Sequence, residues 1–349
     1  DKYTRDQIVE SELSYLSNYQ RVIINSGKIS NKGWEISVSG VPVKVKNFEW
    51  KTIFNWSKNN SMVESLPEGI DKIQIGSGVY NVKSYAEVGK PYGAIYAKTF
   101  KRDAEGYILC QLDGSPKEGQ DYEYLGCVQA DWRGGWNNVF RLGNFSFSVM
   151  FDFQKGGKFF SQTSIQSSVD GQSVKSLEGR DADFFSRKIL GESDEERYGF
   201  MRPQNANTPT ANGQIYPDWG RPKGVVLPNC RYDEDVEGLA GQQVLGYCTP
   251  ERYWMHYTSR DISRFIYDAS YVKLREITVS YDLPKKWLRK TPFQTFRVAA
   301  VGRNIATLFA NTPHGLDPQA TSTTGNAQGF ERGFNLPSAT YGFDIKVSF

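Results

Sequence analysis

Apolar and polar positions alternate along much of this chain, and the last nine residues show the pattern most clearly. In the segment 341–349 every odd position is aromatic or β-branched, and every even position is small, polar or charged. This period of two predicts a β-strand with one apolar and one polar face. Aromatic residues at both ends of the apolar face are typical of a transmembrane barrel strand, because aromatic girdles lie at the two membrane interfaces.

The same alternation predicts about ten membrane-length strands in an antiparallel sheet. They lie near residues 19–29, 33–41, 46–58, 88–101, 136–143, 144–155, 157–165, 268–282, 293–304 and 339–349. A soluble β-sandwich with one packed face would show a similar alternation. However, so many Phe, Trp and Tyr side chains would overfill the space of about 10 Å between two packed sheets. Lipid sets no such limit, and the pattern therefore favours an all-β transmembrane barrel.

Composition agrees with this fold class. The 349 residues are 39% hydrophobic and 14% aromatic, yet the mean hydropathy is only −0.54. No run approaches the roughly 18 apolar residues that a membrane helix needs, which argues against a helical membrane protein. The net charge is +3 with both signs interspersed, so the sequence does not predict a nucleic-acid surface.

The connections between the predicted strands are very unequal in length. We expect long loops near 59–87, 102–135, 166–267 and 310–338, with a short helix over 181–190. Long extracellular loops and short periplasmic turns are typical of outer-membrane barrels. An open sheet in lipid would leave two edges with unpaired backbone groups. Ten strands could close a small barrel, but these long loops would overload it, so we expect further strands from a segment that this chain does not contain.

Four cysteines lie in predicted loops, and the cell envelope permits disulfides. Their spacing suggests two local pairs, Cys110 with Cys127 and Cys230 with Cys248. Unpaired thiols are the alternative.

The sequence offers little for catalysis or metal binding. Ser259, His256 and Asp261 are close in sequence, but no nucleophile elbow or zinc motif is present. We therefore predict no enzymatic activity and no cofactor. Asp233, Asp235 and Glu237 are a weak candidate for calcium, since their spacing does not fit an EF-hand loop, and a solvated acidic loop is favoured.

Aromatic residues in the predicted loops are the better candidates for ligand contact, because flat aromatic faces stack on sugar rings and clamp peptide side chains. Packing between loops is the alternative. The candidates are Trp132, Trp136, Trp219, Tyr253 and Trp254.

Several motifs resemble those of the SusC/RagA-type TonB-dependent transporters, from about residue 25 to the end of the chain. The matching segments, in the family's order, are Asn31–Glu35, Gly93–Asp103, Asp131–Trp132, Asp268–Pro284, Gly302–Phe309 followed by Gly315–Pro318, and Leu336–Phe349. In the Asp131–Trp132 motif the usual preceding proline is Ala130.

This resemblance implies that residues 1–349 are the C-terminal part of a 22-stranded barrel, without the plug domain and the earlier strands. It implies import of a large nutrient, a glycan or a peptide, across the bacterial outer membrane. The implied partners are a SusD-like surface lipoprotein and, through the missing N-terminal part, the TonB–ExbB–ExbD complex. Tyr341, Phe343 and Phe349 are similar to the family's terminal assembly signal and lipid-facing girdle.

One other class of function stays open at this point. The chain could be a non-transporting surface protein, either a stand-alone barrel or a soluble sandwich, that acts as an adhesin or glycan receptor. The mixed signs of Glu49, Lys51, Asp152 and Lys346 on the predicted polar face do not distinguish a glycan from a peptide ligand.

Overall fold

The structure is a computed structural model that describes residues 2–12, 21–177, 225–248, 253–313, 315–319, 328–333 and 338–349. The predicted helix over 181–190 and the candidate Trp219 lie outside these residues. The described strands are β1 (Lys2–Glu12), β2 (Arg21–Val45), β3 (Phe48–Ser65), β4 (Lys72–Ser77), β5 (Lys83–Glu87), β6 (Ala94–Ala97), β7 (Ile108–Cys110), β8 (Glu123–Cys127), β9 (Trp132–Leu142), β10 (Phe145–Lys155), β11 (Lys158–Ser161), β12 (Val225–Tyr232), β13 (Gln243–Cys248), β14 (Ile266–Asp268), β15 (Tyr271–Asp282), β16 (Thr295–Ala310), β17 (Phe330–Glu331) and β18 (Thr340–Ser348).

Eight of these strands form one large antiparallel sheet in the order β1-β2-β3-β9-β10-β15-β16-β18. Each strand pairs with the next one of the sheet in sequence, which is an up-and-down arrangement. Two-residue turns join β2 to β3 and β9 to β10, and the segment 283–294 joins β15 to β16. These connections and the C-terminus lie at one end of the sheet, here called the turn end. The long connections leave the opposite end, here called the loop end.

Register gives the sheet one apolar and one polar face. On the apolar face Phe54 lies opposite Trp136, and Trp136 lies opposite Phe151 on the next strand. Apolar side chains of this face are solvent-exposed in the isolated chain, and Phe343 is 87% exposed. The amide of Asn138 also lies on this face, where Trp50 Nε1 donates to its Oδ1 at 3.0 Å. So large an exposed apolar surface marks contact with lipid or a partner.

The predicted fold class is confirmed by this sheet and by the barrel proteins that the chain resembles, reported below. Several predicted strands nevertheless differ from the structure. The described part of the segment 19–29 and the segment 33–41 belong to one long strand, β2, because pairing with β3 continues through the polar stretch between them. β1 was not predicted.

Two other predicted barrel strands are not in the large sheet. Of the segment 88–101, only β6 is a named strand, and it belongs to a small sheet in which all four of its residues are buried. The segment 157–165 divides into β11 and the helix α1 (Gln162–Val169), which begins after the N-cap Ser161. Strands that are buried on both faces do not need one apolar and one polar face. The alternation in these two segments therefore did not indicate barrel strands.

The described parts of the connections at the loop end fold into ordered elements. They contain a four-stranded sheet (β4-β5-β6-β8) and two three-stranded sheets (β14-β11-β17 and β13-β12-β7). Two buried clusters support them, one around Phe100 and Tyr253 and the other around Phe160 and Phe330. The predicted loop 59–87 is also shorter than expected, because β3 continues to Ser65. None of the described helices is both long and apolar enough to span a membrane.

Candidate functional site

Two adjoining cavities lie where the polar face of the large sheet meets the small sheets. The first has a volume of about 410 Å³ and the second about 380 Å³. Both are lined by Val128, Arg133 and Gln328. The other polar residues that line them are Asn31, Ser57, Asn59, Ser61, Tyr92, Gln129, Asp152, Gln154, Lys158, Tyr271 and Gln319. These volumes are in the range of ligand sites, and we call the two together the polar cavity.

Asp152 of β10 is the acidic group of the polar cavity. Its carboxylate accepts hydrogen bonds from Arg275 Nη2 and, at 3.3 Å, from the Tyr271 hydroxyl. Arg275 also donates to Asn304 Oδ1 and Gln319 Oε1, each at 2.7 Å. One guanidinium therefore connects three segments of chain, as its planar set of five N–H donors allows.

Lys273 ties the segment 315–319 to the same network. Its ammonium donates to both carboxylate oxygens of Asp317 at 2.5 and 2.6 Å, and to Gln319 Oε1 at 2.9 Å. Both side chains of the ion pair are largely buried, at 6% and 13% exposure. Removing one partner of a buried ion pair strongly destabilises the folded protein, because the other charge is left buried without a partner. The family-like segment Gly315–Pro318 is therefore held to β15 by charge.

A β-bulge brings Arg275 into this network. The pairing of β15 with β10 shifts at Met150/Phe151, so that Met150 lies opposite Glu276 while Phe151 lies opposite Leu274. The extra residue is Arg275, which leaves the regular ladder next to Glu276 on the polar side. Pairing with β16 shifts at the same place. Alternation alone predicts Lys273 and Arg275 on one face, but it gives no sign of this bulge.

Of the aromatic candidates within the described residues, only Trp132 lines the polar cavity. Trp136 was predicted to contact ligand from a loop, and this prediction is wrong. It lies within β9 on the apolar face, where its ring stacks on Phe151 at 5.9 Å and its Nε1 donates to Thr52. The predicted strand 136–143 already contains Trp136, and β9 begins four residues earlier, at Trp132.

Tyr253 and Trp254 are also corrected by the structure. They are 1% and 3% exposed, and their rings meet edge-on within the cluster around Phe100. The alternative interpretation, packing between loops, holds for both. Loop residues can be this buried because the loop-end elements have a hydrophobic core of their own.

The predicted cysteine pairs are not the arrangement in the structure. Cys110 lies in β7 and Cys127 in β8, which belong to different sheets. Cys110 instead lies within hydrogen-bond reach of Cys230, and both pack with Cys248 in the cluster around Phe100. The thiol of Cys127 contacts the carbonyl of Tyr92 at 3.4 Å. Strand pairing between β7 and β12, which are distant in sequence, produces this grouping.

The acidic candidates for calcium are neutralised by lysines. The carboxylate of Asp233 is nearly buried and accepts from Lys101 at 2.9 Å and Lys117 at 2.7 Å. Asp235 also pairs with Lys117, whereas Glu237 is exposed. Burial alone would raise the pKa of Asp233, but the two ammonium groups overcome it and lower the pKa to about 2. Within the described residues no group of carboxylate, His or Cys side chains is arranged for a metal.

No catalytic triad forms from Ser259, His256 and Asp261. Ser259 Oγ donates to the backbone carbonyl of His256 at 3.0 Å, and Asp261 accepts from Ser263 at 2.5 Å.

Tyr341 and Phe343 lie on the apolar face of β18, with Tyr341 77% exposed. The terminal Phe349 contacts Phe293 with ring centroids 5.3 Å apart. These positions fit a lipid-facing girdle, and the role of the three residues in membrane assembly stays a prediction.

Comparisons with known proteins agree with the sheet. No protein-family model matches the chain. The TonB-dependent receptor P3 of Formosa agariphila is 23% identical over 97% of this chain and 30% of its own length. The TonB-dependent receptor P26 of the same organism is 26% identical over 46% of the chain and 18% of its own length. The chain therefore spans about a third or less of the relatives that it matches.

Two solved structures share the fold. The RagAB peptide transporter superposes with a TM-score of 0.57 and 16% identity, over 99% of this chain and 32% of its own. The RagAB peptide importer in its closed–closed state gives a TM-score of 0.58 and 15% identity, again over 99% of this chain and 32% of its own. The predicted resemblance to SusC/RagA-type TonB-dependent transporters is confirmed. The relatives that carry it are named as TonB-dependent receptors, and the matching structures as a peptide transporter or importer.

Proposed function

We propose that this chain is the C-terminal part of the barrel of an outer-membrane importer that takes up peptides or glycans by TonB-coupled transport. The observation that supports this most directly is the pairing of an exposed apolar face with a polar cavity on the opposite face of one sheet. A barrel wall in lipid needs an exposed apolar face, and a transport lumen needs a polar face. Similarity to TonB-dependent receptors over nearly the whole chain supports the same proposal.

In this proposal the turn end faces the periplasm and the loop end faces the cell surface, because barrels carry short turns on the periplasmic side. The remaining strands, the plug and the TonB-binding segment would come from the rest of a longer protein. A SusD-like lipoprotein would cover the loop end, which carries the polar cavity. The side-chain donors and acceptors that line that cavity suit the polar backbone of a peptide or the hydroxyl groups of a sugar.

Uptake by cells that carry the full-length gene tests this function. A deletion strain should lose import of a fluorescent peptide library or of a labelled oligosaccharide mixture, and whichever is lost identifies the substrate class. The wild-type gene should restore import, and a lipoprotein should co-purify with the full-length protein. Undiminished import of both probes in the deletion strain would contradict the proposal.

Arg275 tests whether the polar cavity takes part in import. Replacing Arg275 by Lys removes the planar set of donors that joins Asp152, Asn304 and Gln319, so import through the complemented strain should fall severalfold. Arg303→Lys is a matched control, because Arg303 makes one exposed pair with Glu276, and exposed pairs contribute only about 0–1 kcal/mol. Equal import by both variants would remove the polar cavity from the proposal.

A further inference from the structure

The turn between β15 and β16 is strongly basic. Within residues 283–294 it carries Lys285, Lys286, Arg289 and Lys290 and no acidic residue. All four cationic side chains are exposed. We call the segment 283–294 the basic turn.

No ion pair within the described part of the chain neutralises these four cations. The nearest acidic residue in sequence, Asp282, is already engaged by Arg297 through two bonds of 2.6 and 2.8 Å. The positive charge of the basic turn therefore remains available to a ligand. A cluster of this kind attracts anionic groups, and several adjacent cations do so more strongly than one.

The basic turn is also a fixed element. Leu283 N–H donates to the carbonyl of Phe296 at 2.8 Å, and Trp287 N–H donates to that of Pro284 at 2.9 Å. A one-turn helix, α2 (Lys285–Leu288), buries Leu288 and leaves Trp287 61% exposed. The cations are therefore presented from an ordered backbone.

Aromatic side chains adjoin the cations. Phe293 contacts Phe296 at 6.0 Å and Phe349 at 5.3 Å between ring centroids. Phe296 pairs with Val347 on the apolar face, so this aromatic group continues the apolar face to the turn end. Aromatic residues next to Lys and Arg are the usual anchors at the level of lipid headgroups.

We propose that the basic turn binds the phosphate of an anionic phospholipid in the leaflet at the turn end, while Trp287 and the Phe293 group contact the lipid below it. A free phosphate ion would satisfy the cations but would have no use for the adjoining aromatic group. Continuity with the apolar face therefore points to lipid as the occupant. The inference rests on the proposed function only in requiring that the sheet spans a bilayer.

Native mass spectrometry of the full-length protein in detergent tests this inference. Phosphatidylglycerol and phosphatidylcholine with the same acyl chains are added in competition, and the retained lipids are counted. The wild-type protein should retain phosphatidylglycerol preferentially. Lys285→Ser/Lys286→Ser should reduce that preference by about fivefold for each cation removed.

Two variants control for charge and folding. Exchanging Lys and Arg at all four positions (K285R/K286R/R289K/K290R) keeps the charge and should keep the preference. Lys72→Ser/Arg102→Ser removes two exposed cations of the loop-end elements and should leave the preference unchanged.

Three results would overturn the inference. They are equal retention of both lipids by the wild type, an unchanged preference in Lys285→Ser/Lys286→Ser, and displacement of the retained lipid by millimolar inorganic phosphate, which would identify a simple anion site. Heat-modifiable migration in gels is followed in parallel. A protein that migrates as a folded barrel but shows no preference contradicts only this inference, whereas a protein without such migration contradicts the proposed function.

Discussion

At the scale of single residues, the structure assigns charged side chains to pairs rather than to ligands. The acidic group around Asp233 shows this, because the sequence presents a run of carboxylates while the fold brings Lys101 and Lys117 to meet them. Both lysines are more than a hundred residues away in sequence. Pairings of that kind cannot be predicted from local spacing.

Asp233→Asn should destabilise the small sheet that contains β7 and β12. The folded pKa of Asp233, about 2, lies below its ordinary value of 3.8, so the ionised carboxylate stabilises the folded state above about pH 4. This contribution, roughly 2 kcal/mol, is lost as the pH falls through 2. Hydrogen exchange of β7 and β12 at pH 7 should accelerate in Asp233→Asn. The exposed neighbour Glu234 supplies the control Glu234→Gln, and equal exchange in both variants would contradict the assignment.

The cysteines give a second prediction at this scale. Contact with Cys230, together with burial, raises the pKa of the Cys110 thiol, and burial raises that of Cys127. A raised pKa reduces the thiolate fraction, which is the reactive form. Iodoacetamide at pH 8 should therefore modify half-buried Cys127 slowly and Cys110 more slowly still, with fast reaction of both only after unfolding. Peptide mass mapping measures this order, and rapid native alkylation of Cys110 would contradict its placement in the core.

At the scale of elements, the strands with a clear period of two were predicted well. β3, β10, β15 and β18 lie close to their predicted positions, because one face of each meets apolar surroundings and the other polar ones. The elements that failed are those without two distinct faces. β6 is buried throughout, β11 passes directly into a helix, and both depend on contacts with distant segments that alternation does not encode.

The site was less predictable than the strands. Asp152 could be placed on the polar face from alternation, but its partnership with Arg275 depends on a bulge, and the contact with Gln319 depends on how a long connection returns to the sheet. The aromatic candidates failed for a related reason. Aromatic residues in connections indicate ligand contact only when the connections have no core, and here the cluster around Phe100 contains Tyr253 and Trp254.

Gly27 provides a prediction about the β2–β3 hairpin. Its φ is +56°, and a Cβ at this position would lie 2.0 Å from the backbone oxygen of Ser65. Gly27→Ala should therefore push β2 and β3 apart at the bulge beside Lys28 and lower the free energy of unfolding by about 1–3 kcal/mol. Gly40→Ala in the same strand has nothing within 4 Å of the new methyl group and serves as the control. Comparison of the temperatures at which heat-modifiable migration is lost measures the difference, and equal temperatures would argue against this local geometry.

At the scale of the whole molecule, the sheet has one apolar and one polar face, as the proposed barrel wall between lipid and water requires. Its described part is open, with β1 and β18 at the edges, and the chain spans about a third of the length of the structures that it matches. The unpaired edges would be costly in lipid. In the proposed importer they are joined by strands from the rest of the protein.

Adjacent positions on β18 distinguish the two faces. Phe343→Lys places a charge on the apolar face, where a lysine at the bilayer midplane costs about 2–4 kcal/mol. Asp344→Lys, one residue further on, places the same charge on the polar face. The first variant should sharply reduce the yield of folded full-length protein in outer membranes, and the second should leave the yield close to that of the wild type. Similar yields would mean that β18 does not separate lipid from water.

Spin-label accessibility along β18 tests the membrane-wall arrangement most directly. Single cysteines are placed at each position from 341 to 348 in a full-length protein whose native cysteines are replaced. They are spin-labelled in native outer membranes. The relaxation of each label by oxygen and by a water-soluble nickel complex is then measured. Odd positions should be accessible to oxygen and even positions to nickel, with a period of two. Odd positions closed to both reagents would indicate a packed sandwich core, and nickel access at every position would indicate a surface strand; either result would contradict a barrel wall in lipid.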